Sequence, residues 1–222
     1  SSAFNSICLG DSILISASGA LNYQWGNGVQ SSNQYVSPTL IGSNSYVVSG
    51  SDVNSCSNLD TISITVNSLP IAQVTASDTN ICINDTITLT SSSASNYQWS
   101  NGSNSQSQTL TISSPGTSVF TVTIYDNNSC SARDSVSVNV NNNPIISASA
   151  NNNNICIGDN VTLSALGAVN YQWDNGVTTS TQVITPSTAA TLTYTVVGTD
   201  INSCSANAQV NIIVNPLPNT GP

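Results

Sequence analysis

Thiols are the most reactive groups this sequence offers. Six cysteines, Cys8, Cys56, Cys82, Cys130, Cys156 and Cys204, alternate at steps of 48 and 26 residues, so the set recurs every 74. Thiols can bind metal, attack as nucleophiles or oxidise to disulfides. Structural zinc calls for closely spaced CxxC pairs or histidine partners, and the chain contains neither. A nucleophilic thiol needs a neighbouring base, yet His, Glu and Lys are all absent. Disulfides remain, and they imply an oxidising compartment such as the periplasm, the cell surface or the medium. Six cysteines permit fifteen pairings. The repeat favours one of them, with a bridge inside each third of the chain: Cys8 with Cys56, Cys82 with Cys130, Cys156 with Cys204. Closing a loop of that size removes roughly 4 kcal/mol of unfolded-chain entropy, a large share of the stability of a small domain.

Carboxylates come next. Of the ten acidic residues, all Asp, three recur before a cysteine: Asp52, Asp126 and Asp200 in "DVNSC", "DNNSC" and "DINSC". Asp at such a place closes a turn on its own backbone. Calcium is the sharper alternative, since Asp and Asn oxygens are hard ligands, but with one carboxylate per turn no cofactor is expected. The one cation, Arg133, has no counterpart in the other repeats, where Leu59 and Asn207 stand. A formal charge of −9 repels polyanions, so no nucleic-acid partner is expected. No apolar run is long enough for membrane insertion. Without a base, a free nucleophile or a metal site, the chain is not expected to be an enzyme.

The elements that carry these groups are strands. "NYQWGNG" at 22–28, "NYQWSNG" at 96–102 and "NYQWDNG" at 170–176 mark three repeats of 74 in a chain of 222 residues. Tyr and Trp two apart share one face of a strand. Tyr23, Trp25, Tyr97, Trp99, Tyr171 and Trp173 are therefore expected to fill the core, and the following Asn-Gly predicts a tight hairpin. Alternation continues through Ile13 and Ile15, Ile87 and Leu89, Val161 and Leu163, through Val36, Leu110 and Ile184, and through Phe120, Val122 and Ile124. Six or seven short strands per repeat with no helical periodicity predict an all-β antiparallel sandwich. The expected domains are residues 1–67 with an incomplete leading strand, 68–141, 142–215, and a tail of 216–222. Proline in the joints "NSLPI", "NNNPI" and "NPLPN" stiffens them, which predicts a rod. The "LPNTG" at 217–221 is a sortase motif by its letters, but it aligns with the joint at Leu69 and Pro70 and reads as a joint. Register also aligns Pro222 with Val74 and Ser1 with Thr75, so a tail joined to a head continues the repeat. That continuity fits either a window of a longer repetitive chain or protomers joined by strand addition, and the expected partners are copies of the chain itself.

The cysteine, the Trp strand and the second cysteine resemble the immunoglobulin-like fold. More narrowly, "ICIGDNVTLSALGAVNYQWDNG" and "YTVVGTDINSCSANAQVNIIVNPLP" resemble the tandem Ig-like repeats of large secreted surface proteins and adhesins of Bacteroidota. The resemblance implies three tandem Ig-like sandwiches arranged as a rod, secreted or at the cell surface. It also implies possible O-glycosylation at Ser12, Thr61, Thr86 and Ser135, each an acceptor after Asp and before an aliphatic residue. The antibody pattern is departed from in two respects: the bridge is expected to pin one pole, and the corner position is Tyr46, Phe120 and Tyr194. The expected function is a structural subunit of an extracellular filament or stalk, with an adhesin gripping glycans or another surface as the alternative.

Overall fold

A computed structural model describes residues 5–221, so Ser1 and Pro222, whose register with Thr75 and Val74 continues the repeat, lie outside the described residues. Every regular element among them is a strand. The first repeat holds β1 (Ser6–Cys8), β2 (Ile13–Ser16), β3 (Asn22–Trp25), β4 (Asn33–Val36), β5 (Gly42–Ser51) and β6 (Ser57–Asn67). The middle repeat adds a leading strand, running β7 (Val74–Ala76), β8 (Asn80–Cys82), β9 (Thr86–Ser91), β10 (Asn96–Trp99), β11 (Ser107–Thr111), β12 (Gly116–Tyr125) and β13 (Ser131–Asn141). The third repeats that succession as β14 (Ser147–Ala150), β15 (Asn154–Cys156), β16 (Val161–Leu166), β17 (Asn170–Trp173), β18 (Thr181–Ile184), β19 (Ala190–Thr199) and β20 (Ser205–Asn215).

Each repeat makes two sheets. The larger is ordered β1-β6-β5-β3, then β8-β13-β12-β10, then β15-β20-β19-β17. The smaller is β7-β9-β11 and β14-β16-β18 in the later repeats, and β2-β4 among the described residues of the first. A short early strand runs parallel to the end of the last strand in every repeat, pairing Cys8 with Asn67, Cys82 with Asn141 and Cys156 with Asn215. Such a split first strand, antiparallel to one sheet and parallel to the other, is Ig-like topology, and the molecule is an all-β set of tandem Ig-like sandwiches.

Both sheets face one core. In the first repeat Ile15 and Val36 from the small sheet meet Trp25, Val48 and Ile64 from the large one. In the third, Val161, Leu163 and Ala165 meet Trp173, Val196, Val210, Ile212 and Val214. Strict alternation produces this: β9 "TITLTS" buries Ile87, Leu89 and Ser91 and exposes the threonines between. Trp25, Trp99 and Trp173 are each at most 3 % exposed, whereas Tyr23, Tyr97 and Tyr171 are half-buried.

Two expectations need correcting. The Asn-Gly segments turn, with Gly28, Gly102 and Gly176 at positive φ, but they do not close a hairpin. β3 pairs with β5 while β4 pairs with β2, so the chain crosses from one sheet to the other. The buried indole, whose N–H needs an acceptor, is satisfied by the segment that crosses. It donates to the Ser31 carbonyl at 2.8 Å, and its equivalents donate to Ser105 and Thr179.

The bridge inside each repeat does not form. The disulfides are Cys8–Cys130 and Cys82–Cys204, each spanning 122 residues with Cα atoms 5.5 Å apart. Strand length forbids the expected pairing. Cys8 lies level with the end of β6, whereas Cys56 precedes the start of that 11-residue strand. Such a strand is about 36 Å long, far beyond the roughly 7 Å between Cα atoms that a disulfide tolerates. The two cysteines of a repeat occupy opposite poles, so no bridge pins a single pole within a repeat.

Candidate functional site: the bridge turns and the groove at Cys56

Each cysteine is presented by a turn that its sequence builds locally. For the second cysteine of a repeat, the preceding Asp folds its carboxylate back on the chain. Asp52 Oδ1 accepts the Asn54 and Cys56 amides at 2.8 and 2.9 Å. Asp126 does the same for Asn128 and Cys130, and Asp200 for Asn202 and Cys204. The reversal needs one left-handed residue, and Ser55, Ser129 and Ser203 supply it at φ of 65°, 64° and 67°. These three Asp residues thus act as turn formers. No group of three or more His, Cys, Asp or Glu suited to a metal ion occurs among the described residues.

The first cysteine sits in a second recurrent turn. Asp11, Asp85 and Asp159 each accept the cysteine amide, at 3.2, 2.9 and 3.0 Å, and return their own amide to its carbonyl. The six turns are therefore local copies in two classes. Four of their cysteines are bridged, always the first cysteine of one repeat to the second cysteine of the next. Cys56 and Cys156 are free thiols, the former exposed and the latter half-buried. Cys130 and Cys204, which occupy the turn class of Cys56, are fully buried.

Beside Cys56 runs an open groove of about 500 Å³, lined by Ser18, Gly19, Tyr23, Gly50, Leu59 and Asp60 among others. Its walls have occupied counterparts elsewhere. In the middle repeat, at the position of Ser18, Ser92 clasps the incoming joint: its amide donates to Gln73 O, its hydroxyl donates to Ile71 O at 2.9 Å, and Gln73 N donates to that hydroxyl. Asp134, at the position of Asp60, accepts the Val74 amide at 2.8 Å. In the third repeat the glycine pair Gly167 and Gly198, at the positions of Gly19 and Gly50, lies under Ile145 and Ile146. A Cβ on Gly167 would collide with the Ile145 carbonyl, and one on Gly198 would come 2.5 Å from Ile146 Cδ1. Around Gly19 a Cβ would meet nothing within 4 Å. The positions that fill this groove in the later repeats, 71–74 and 145–148, have no counterpart among the described residues of the first.

The other residues singled out by sequence are dispersed. Ser12, Thr61, Thr86 and Ser135 are all exposed on strands or at strand starts, with Ser12 sharing a hydrogen bond with Ser37 and Thr86 with Thr111. Arg133 is exposed, and its neighbour Asp134 serves the leading strand as described. The Tyr23, Tyr97 and Tyr171 hydroxyls accept the amides of Ala20, Ala94 and Ala168, fixing the turn at the groove's edge. Tyr194 titrates above its ordinary value of 10.0, because burial and the neighbouring Asp174 carboxylate both oppose its ionisation. Sequence reasoning missed the groove and the pairing across repeats. The sequence carries no signal for the pairing: only the parallel pairing of the first cysteine's strand with the last strand places the two cysteines at opposite ends.

No protein-family model and no curated protein matches this sequence. Among solved structures, the chain is similar to titin domains I67–I69, with 10 % identity, a TM-score of 0.41, and 96 % of this chain and 95 % of that one covered. It is also similar to the Ig1–Ig3 ectodomain of mouse nectin-like molecule 4, with 11 % identity, a TM-score of 0.39, and coverage of 95 % and 96 %. A third is the fibronectin(III)-like modules of Clostridium thermocellum CbhA, with 12 % identity, a TM-score of 0.38, and coverage of 65 % of this chain and 95 % of that one.

Proposed function

We propose that this chain is a non-catalytic structural subunit of an extracellular filament or cell-surface stalk, in which copies join head to tail. The observation that carries the reading is the direction of the bridges: each ties a repeat to its successor rather than closing a repeat on itself. A bead needs only its own core to fold. A cross-link between successive beads resists their separation under load, which is a mechanical task. The bridges suit an oxidising compartment, and the resemblance to Bacteroidota surface repeats fits that location. The exposed acceptors Ser12, Thr61, Thr86 and Ser135 suit O-glycans on such a surface.

Head-to-tail growth needs a donor and an acceptor. The acceptor is the groove of the first repeat, where Ser18 and Asp60, whose Oδ1 accepts the Thr61 amide, occupy the positions from which Ser92 and Asp134 bind residues 71–74. The donor is the segment after β20, whose residues 216–221 carry no regular structure and are exposed. Insertion of an extended segment into such a site is strand addition. Electron microscopy of the purified chain tests the reading. Uniform fibres are expected, and Gly19→Ala, which fills the groove floor, is expected to leave monomers that fold but do not assemble. Monomers at every concentration, together with glycan binding lost on loop substitution, would instead favour an adhesin.

A further inference from the structure

We propose that Cys56 and Cys156 are the two halves of a third bridge of the same kind, formed between copies of this chain: Cys156 of one copy bonds Cys56 of the next. The inference rests on the head-to-tail reading above and adds a covalent link to it.

Three observations converge. First, the bridging rule holds at both junctions the chain contains, with the same separation of 122 residues and the same Cα distance of 5.5 Å. Cys156 belongs to the class of Cys8 and Cys82, and Cys56 to the class of Cys130 and Cys204. Applied once more, the rule takes Cys156 to the second cysteine of the repeat that follows, which in a following copy is Cys56. Second, both turns are already built. Asp159 and Asp52 hold the two cysteine amides at 3.0 and 2.9 Å, as their counterparts do in the formed bridges. Little backbone order must be lost to close the bond. Third, Cys56 is exposed at the edge of the open groove, where its counterparts Cys130 and Cys204 are fully buried. In the formed bridges the sulfur partner of each counterpart is the first cysteine of the preceding repeat, and the Cys156 of another copy is the partner this proposal assigns to Cys56.

Formation of the bond is a two-electron oxidation. A thiolate of one copy attacks a disulfide oxidant, such as oxidised glutathione, releasing one thiol and leaving a mixed disulfide. The other copy's thiolate then displaces the second thiol of the oxidant. One Sγ–Sγ bond forms, the oxidant's disulfide breaks, and the two thiol protons leave on its two reduced halves.

The test uses two variants of the 222-residue chain, Cys56→Ser and Cys156→Ser, each of which keeps both existing bridges. In a glutathione redox buffer, an equimolar mixture is expected to give a covalent dimer at least tenfold above either variant alone. Wild-type protein is expected to give a ladder on non-reducing gels. Peptic mapping, chosen because the chain has one Arg and no Lys, is expected to yield a linked pair containing Cys56 and Cys156. Equal dimer yield from a single variant would overturn the proposal by showing symmetric pairing, and a Cys56–Cys156 link within a wild-type monomer would overturn it equally. Fibres in the microscope with both thiols still open to alkylation would leave the filament standing and remove the bridge. Neither fibres nor covalent dimer would remove both.

Discussion

At the scale of the residue, a few side chains of ordinary type fix where the sulfur atoms go. One Asp oxygen caps two amides in the turn before each second cysteine, and the same turn requires a left-handed Ser. Asp126→Ala leaves those amides to solvent and is expected to cost about 1 kcal/mol, read as a lower urea midpoint with an unchanged slope. The Cys8–Cys130 bridge is worth more. Its loop of 122 residues corresponds to about 4–5 kcal/mol by chain entropy, with engineered cases often delivering less. Cys8→Ser with Cys130→Ser is expected to lose 2–5 kcal/mol of unfolding free energy by chemical denaturation. Tyr194 supplies the pH dependence. Its folded state holds the hydroxyl proton above the ordinary 10.0, so the contribution is complete below that pH. As pH rises further the unfolded chain ionises first, and stability falls. Tyr194→Phe is expected to flatten the decline in melting temperature measured above pH 10.

At the scale of the element, period-two alternation and one Trp per repeat build the sandwich. Trp173 is 1 % exposed and packs with buried aliphatics from strands of both sheets, among them Leu163, Val196 and Ile212. Truncation to Ala is expected to cost 3–5 kcal/mol, seen as loss of the cooperative transition of that repeat. The glycine floor under the joint gives a matched pair of variants. Gly19 and Gly167 share a positive φ, of 94° and 104°, so Ala costs backbone strain equally at both. Only Gly167 lies against the Ile145 carbonyl. Gly167→Ala is therefore expected to lower the melting temperature of the monomer by several degrees more than Gly19→Ala. Equal losses would mean that the joint does not bear on the glycine.

At the scale of the whole molecule, the contacts gather into two compact units. One comprises the described residues up to Thr75 with Leu89–Gln108 and Phe120–Val136, and the other comprises Ala76–Thr88, Thr109–Val119 and the described residues from Ser137 on. The division runs through the middle repeat and leaves one disulfide inside each unit, Cys8–Cys130 in the first and Cys82–Cys204 in the second. Limited proteolysis before and after reduction checks this arrangement. Reduction is expected to release fragments cut near residue 53 or 127, at exposed turns that the bridges otherwise retain.

The repeat length, the strands and the inward face of each strand were determined by the sequence alone, because alternation and turn residues act over a few positions and leave a periodic trace; of the six cysteines expected in disulfides, four are bridged and Cys56 and Cys156 are free. Which sulfur meets which was not so determined. "SCS" and "ICI" carry no record of the 11 residues of β6 that lie between the poles, and that distance follows only from the parallel pairing of Cys8 with Asn67. The crossing after "NYQW" was hidden for the same reason: Asn-Gly specifies a turn, while the sheet that receives the next strand is a matter of tertiary pairing, β4 with β2 and β3 with β5. The groove beside Cys56 was invisible too, since Ser18, Gly19, Gly50 and Asp60 are scattered in sequence and acquire a common purpose only when the sandwich brings them to one edge.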